Sequence, residues 1–408
     1  MSRISIIMIL LFGCNVITAQ SVTDSISSNS NLSYSAQDGL KIDLNDTELR
    51  FNGFIQPYAS TTKEIEERAF NRMSLKRARL NFSGRSLKEK LSIHVNLDFV
   101  NDSILLDAYF GVHFGKFNIY AGQKHNKVNN LEMNLDERNI TYLNRSLLSS
   151  AFSRSGREFG VFIEPEFSIN QWYIQPVLSV TSGNGRNNFE RTNDTLFGGL
   201  KYAARINVFP FGKFSEKEHR TIHDIHREST PKLAIGASVS RNFQASDAVG
   251  EQIGDITFYD LNRSLKNANL DQLYLDVLFK WRGLSFLTEY ASTRAHANVQ
   301  LTNEDRELIS PENIFNYYAL GEAINLQLGY FFKNNISVDI RSTFVQPEFK
   351  EATSILQEQH KSSLAVSRFS KNKQFKIQFE GAYFNRKDLV ENETIDGYQL
   401  ILMTQLNF

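Results

Sequence analysis

Residues 398–408 read YQLILMTQLNF and close the chain. Side chains alternate across an extended strand, so Tyr398, Leu400, Leu402, Thr404, Leu406 and Phe408 share one face and Gln399, Ile401, Met403, Gln405 and Asn407 the other. A soluble protein rarely ends mid-strand on an aromatic. A strand ending in Phe408, apolar along its outer row, is what a β-barrel of the bacterial outer membrane offers its assembly machinery.

The same period recurs upstream. LSIHVNLDFV at 91–100 sets Leu91, Ile93, Val95, Leu97 and Phe99 against Ser92, His94, Asn96 and Asp98. Phe110, Val112 and Phe114 oppose Asp107, Tyr109 and His113; Leu273, Leu275, Val277, Phe279 and Trp281 oppose Gln272, Tyr274, Asp276 and Lys280; Phe375, Ile377 and Phe379 oppose Lys376, Gln378 and Glu380. Such rows fit a soluble sandwich or a barrel with lipid outside and water within. Segment lengths near the ~9–11 residues of a tilted spanning strand favour the barrel. So does the placing of Tyr58, Tyr120, Trp281, Tyr290, Tyr318, Tyr330 and Tyr398 near segment ends, as interfacial girdles require.

We read sixteen strands, centred near residues 54, 79, 96, 109, 120, 161, 176, 204, 237, 276, 288, 324, 340, 366, 379 and 403. Connections after even strands are mostly tight (86–90, 115–116, 282–283, 332–335, 370–374), and those after odd strands mostly long (124–156, 182–195, 245–268, 293–314, 346–361). Short turns on one rim and long loops on the other describe an all-β, sixteen-stranded antiparallel transmembrane β-barrel with long external loops and short periplasmic turns. Two connections break the rule: 101–103 is short for its rim, and 211–231 is long.

The opening MSRISIIMILLFGCNVITAQ has one charge, an apolar stretch at 4–12 and a small residue at Ala19, which reads as a signal peptide over residues 1–19. A rival reading takes Leu11-Phe12-Gly13-Cys14 as a lipoprotein signal, although Phe12 suits that poorly. Cys14 is the single cysteine, so the chain after Ala19 has none and must hold together by packing and hydrogen bonds. Residues 20–47, rich in Ser, Asn and Asp, read as a flexible periplasmic leader, too short for a plug domain, and residues 48–408 as the barrel.

Composition excludes other classes. Lys and Arg number 45 and Asp and Glu 45, so no basic excess exists to neutralise a nucleic acid. No apolar run past residue 20 approaches the ~18 residues of a membrane helix. No G-x-S-x-G, Walker loop or G-x-G-x-x-G occurs. A barrel hydrolase with its groups on the wall, or a receptor using external loops, would escape such a scan. His219, His223 and His226 would share one helix face and could hold a transition metal, but solvated His-rich connectors are commoner. No cofactor or metal is expected.

A family resemblance follows from ordered motifs. Lys76-Arg-Ala-Arg-Leu-Asn-Phe-Ser-Gly84, Leu106-Asp-Ala-Tyr-Phe110, Ala121-Gly122-Gln123, Arg138-Asn-Ile-Thr-Tyr-Leu-Asn-Arg-Ser-Leu147, Gly156-Arg-Glu-Phe-Gly160 and GLKYAARINVFPFG at 199–212 resemble the phosphate-selective porin O and P family. Glu289-Tyr290 and Ile340-Arg341-Ser342 echo its later strands. The resemblance spans about 53–408 and implies a trimeric, diffusive porin preferring anions. The family's third loop usually opens G-Q-F-K-x-P, whereas Gly122-Gln123 is followed here by Lys124-His125-Asn126-Lys127.

With Ala78, Leu80 and Phe82 facing lipid, Arg77, Arg79 and Arg85 face the lumen. By the same alternation Lys201 and Arg205 do, and Arg341 joins them. The loop 124–156 adds Lys124 and Lys127 and is the natural constriction, since it can fold inward. These eight are the candidate anion-binding residues, because inward cations lower an anion's barrier to entry. The opposite reading makes each cation half of a wall ion pair. Asp98, Asp107, Glu158, Asp276, Glu289 and Asp339 also face inward, so phosphate preference and a weakly selective general pore are both open.

Overall fold

The computed structural model describes residues 30–408 apart from 36–38, 66, 87, 189–198, 216–220, 253, 255, 311–312 and 389–392. The proposed signal peptide, Cys14 and His219 lie outside the described residues. In chain order the strands are β1 (Ser30–Ser35), β2 (Gly39–Leu44), β3 (Thr47–Glu64), β4 (Phe70–Ser86), β5 (Leu91–Asp98), β6 (Leu105–Phe114), β7 (Phe117–His125), β8 (Arg157–Ile163), β9 (Phe167–Ile169) and β10 (Trp172–Thr181). They continue as β11 (Lys201–Phe209), β12 (Lys232–Asn242), β13 (Asn269–Trp281), β14 (Leu284–His296), β15 (Gly321–Phe331), β16 (Ile336–Pro347), β17 (Gln359–Phe369), β18 (Phe375–Asp388) and β19 (Glu393–Asn407). Two short helices, α1 (Leu131–Asn134) and α2 (Leu147–Phe152), lie between β7 and β8.

From β3 onward each wall strand pairs antiparallel with the next, β8 and β9 counting as one, and β19 returns to β3, with Gly397 opposite Glu64 and Asn407 opposite Phe54. At this seam the Gly53 amide donates to the Phe408 carbonyl at 2.8 Å and the Phe408 amide to the Gly53 carbonyl at 3.0 Å. β8 and β9 are two pieces of one wall strand, both paired with β10. The result is the expected closed barrel of sixteen strands, each containing or adjoining its sequence-predicted centre.

Closure leaves no edge for lipid to meet, and alternation divides two solvents. Outward rows are apolar and exposed: Phe379 is 53% exposed, Leu364 50% and Leu402 48%. Their inward neighbours Gln378, Glu380 and Ser363 are buried. Of the aromatics assigned to girdles, Trp281, Tyr330 and Tyr398 sit outward and exposed. Tyr290 is also outward and donates to Glu322 at 2.7 Å. The other three are not girdle residues. Tyr120 faces the lumen, Tyr58 packs inward against Leu143, Ile401 and Met403, and Tyr318 is buried among the external loops.

The flexible-leader reading of 20–47 does not hold for the two stretches that form β1 and β2. These make an antiparallel hairpin, and β2 pairs with the leading end of β3 from Leu40↔Phe51 to Leu44↔Thr47. The reason lies in β3, which starts below the seam with β19. Without β2 its first residues would show an unpaired edge.

On the short-turn rim Arg282-Gly283 joins β13 to β14 with φ of 50° and 98°, the mirror-image turn that matches strand twist and that glycine accommodates. On the external rim the connections 243–268 and 297–320 pack on one another through Phe258, Leu301, Ile309 and Tyr318. Both exceptional connections stand: β5 reaches β6 over only 99–104, and 210–231 is long on the short-turn side.

Candidate pore and its constriction

The loop 126–156 leaves the external rim and crosses the lumen. The evidence is where its polar groups find partners. Asn52 on β3 accepts from Arg138 at 2.9 Å, and Arg77 on β4 donates to the Leu143 carbonyl at 3.0 Å. Arg205 on β11 donates to the Asn129 carbonyl at 3.0 Å, and Gln272 and Tyr274 on β13 both donate to the Phe152 carbonyl. Glu289 on β14 accepts from the Glu132 amide at 2.8 Å and Asn130 at 3.0 Å. Lys376 and Gln378 on β18 donate to the Thr141 carbonyl at 2.9 and 2.8 Å, and Gln405 on β19 reaches the Arg138 carbonyl. A segment tied to strands all round a closed barrel spans its cross-section. Leu143, Tyr142 and Leu148 are accordingly buried where a simple tube would hold water.

The eight candidate cations divide on this frame. Arg79, opposite Asp98 in the β4–β5 register, bonds it at 3.0 Å and pairs with Glu137 of the loop. Lys124 and Lys127 both pair with Glu164. Lys201 bonds Glu158 at 2.8 Å, and Arg205 bonds Asp276 at 2.7 Å. Arg341 bonds Glu132 at 3.2 Å and lies 4.0 Å over the Tyr142 ring. Arg77 is buried with Gln56 and the Leu143 carbonyl as acceptors and, among the described residues, no carboxylate partner. Arg85 is exposed, near the short-turn end of β4, with no ion-pair partner among the described residues. All of the candidates on the wall strands lie on inward rows, and Lys127 joins them from the loop, but six of the eight spend their charge on a neighbouring acid.

Sequence reasoning missed the focus of this network. Glu137 is buried and approached by Arg79, by Arg145 at 3.2 Å and by Arg157 at 3.4 Å. Arg157 in turn holds Asp107 at 3.1 Å. Burial works to raise the Glu137 carboxyl, but the three guanidiniums hold it well below the usual glutamate range. Burial likewise opposes ionisation of Glu132, and Arg341 and Arg145 overcome it. Glu132 also accepts from the Ser146 amide and hydroxyl and the Ser149 hydroxyl, fixing α1 against α2. The sequence places Glu132, Asp136 and Glu137 in the loop but does not say which cations they meet.

A titration follows. Both groups have lowered values in the folded loop, so their anchoring is complete above the ordinary glutamate value of ~4.3 and is lost as pH falls through the lower folded values. We expect single-channel conductance to stay constant from about pH 7 to 5 and to rise, with added noise, below about pH 4. A trace flat to strongly acid pH would show that the loop is held without these carboxylates.

The long connection 210–231 on the short-turn rim also sends described residues into the barrel. Phe214 and Ile222 are buried with Leu135 and Ile140 of the loop and with Tyr173, Phe209, Leu278 and Leu287 of the wall. His223 meets Asp339 on β16 at 3.0 Å, and Lys280 on β13 donates to the Thr221 and His223 carbonyls. Glu228 accepts from the Ser215 amide. The described residues 221–230 are turns and bends, so His223 and His226 do not share a helical face. Among the described residues no group of three His, Cys, Asp or Glu could hold a metal ion.

Comparison with known proteins yields the fold. No family model matches the chain, and no curated protein does. Among solved structures it is similar to the outer membrane channel DcaP of Acinetobacter baumannii (TM-score 0.55, 10% identity, 90% of this chain and 99% of that one). It is similar also to an anion-selective porin from Comamonas acidovorans (0.54, 7%, 89% and 100%). A third is OmpT, an outer membrane protein of Vibrio cholerae in a trimer form (0.51, 10%, 89% and 100%).

Proposed function

We propose that the chain is a porin of the Gram-negative outer membrane, through which small anions, phosphate or polyphosphate among them, cross by passive diffusion. A loop that crosses a closed barrel with a polar inner wall carries this reading: it narrows a wet lumen and needs neither energy source nor bond chemistry. Delivery by the signal peptide at 1–19, insertion by the outer-membrane assembly machinery through the strand ending at Phe408, and a homotrimer in outer-membrane lipid complete the proposal. The porin O and P motifs support the trimer and the anion preference; the likeness to an anion-selective porin and to a barrel with a trimer form accords with both.

The pairing of six cations favours a weak preference over a phosphate-specific one, so the general porin is the second reading. Reversal potential in a planar bilayer under a salt gradient, repeated with phosphate, separates them. An anion-favouring potential with phosphate block fits a specific channel, conductance without charge preference a general one, and no conductance ends the porin reading. Replacing Arg77 and Arg79 with Glu is expected to lower the anion-to-cation permeability ratio. An unchanged ratio would remove both residues from the selectivity account.

A further inference from the structure

Part of the inward wall is only half-buried. On the inward rows of β5, β6 and β7 three rings adjoin: His94 lies opposite Tyr109, centroids 5.2 Å apart, and Tyr120 stands edge-on to Tyr109 at 5.7 Å. Tyr120 fits because its cross-strand partner is Gly111, where a Cβ would stand 2.7 Å from a ring carbon. All three rings are half-buried. The His94 nitrogens and the hydroxyls of Tyr109 and Tyr120 have no hydrogen-bond partner among the described residues. This contrasts with His113 on the same wall, which bonds Ser92 at 2.8 Å and Asn118 at 2.7 Å. Lys124 sits 4.0 Å over the Tyr120 ring, and Arg85 stands in the same cross-strand row, opposite Ser92, which lies opposite Gly111, the partner of Tyr120.

Free hydroxyl and imidazole groups on one inward face with a guanidinium that forms no ion pair among the described residues, though Glu48 lies across the strand from it, make an anion site. The adjoining π-faces add a preference for a flat body, because offset and edge-on ring contacts stabilise beyond area burial. We propose that this wall binds planar aromatic carboxylates, the ring against Tyr109 and Tyr120 and the carboxylate toward Arg85. The proposal rests on the porin reading and names a substrate class for that pore.

The probes are benzoate, cyclohexanecarboxylate as a non-planar acid of equal charge, and inorganic phosphate as a ring-free anion. Benzoate should block single-channel current at concentrations roughly two- to tenfold lower than cyclohexanecarboxylate, the range one aromatic contact supplies. The double variant Tyr109→Leu, Tyr120→Leu should erase that difference, with folding checked by heat-modifiable migration. Tyr120→Phe should keep it, and Arg85→Gln should weaken both carboxylates alike. Equal block by the two acids, phosphate acting at benzoate's concentration, or a difference that survives the double Leu change would each overturn the assignment. A barrel that conducts nothing sinks the porin reading instead. The site is then decided by calorimetric titration of benzoate into the detergent-solubilised barrel, where binding lost in the double variant supports it and no binding removes it.

Discussion

Glu137→Gln is expected to raise the anion-to-cation permeability ratio and to expose the loop to trypsin at Arg138 and Arg145 in otherwise folded barrels. The wild-type carboxylate neutralises charge from Arg79 on β4, Arg157 on β8 and Arg145 on the loop. An amide keeps the shape but leaves three guanidiniums with one fewer anion in a water-poor space. Removing one partner of a buried ion cluster costs about 3–5 kcal/mol, several times the ~1 kcal/mol net value of an ordinary hydrogen bond. The stretch 136–145 therefore loosens, and the freed cations face the pore. Glu137→Asp, which keeps the charge on a shorter arm, separates the two effects: loosening without a shift in selectivity. Unchanged selectivity in the Gln variant would place the cluster outside the conduction path.

Replacing 212–231 by an Asn-Gly turn is expected to give a severalfold larger single-channel conductance while the barrel still assembles. The strands on either side can accept it, because Val208 pairs with Ile235 and the ladder converges toward a two-residue turn like that at Arg282-Gly283. The excised segment contributes Phe214 and Ile222 to the apolar contact with Leu135 and Ile140 and ties His223 to Asp339. Without it the loop 126–156 alone narrows the lumen. Conductance equal to wild type would mean that the external loop sets the resistance by itself.

The strands were legible because each wall residue meets one of two solvents, and that choice is written at every second position. The inward facing of Arg77, Arg79, Lys201 and Arg205 came from the same alternation. Their partners did not, since pairing depends on register between distant segments. Arg79 meets Asp98 only because β4 and β5 align them, whereas Arg205 reaches Asp276 across an intervening strand. That contact exists because Gly236 stands between, where a Cβ would collide with both side chains. The loop 124–156 advertised its inward fold by length alone. The connection 211–231 was marked as an exception of length, but nothing in its residues said that Phe214 and Ile222 would find apolar partners inside a polar tube. The hairpin at β1 and β2 was hidden by a Ser- and Asn-rich composition, because its stability comes from the edge of β3 rather than from its own side chains.

The seam between β3 and β19 sets the order in which the molecule can come into being. Gly53 and Phe408 exchange both backbone hydrogen bonds, so β3, already paired with β4, gains its second wall neighbour only when β19 arrives. Until then β3 and the newest strand both offer raw edges, and no subset of strands is a smaller barrel with satisfied ends. A chain that stops before Tyr398 thus lacks the strand that pairs with β3 and leaves the sheet open along that edge. Birth of the pore is a single event of ring closure, with the C-terminal strand as its clasp.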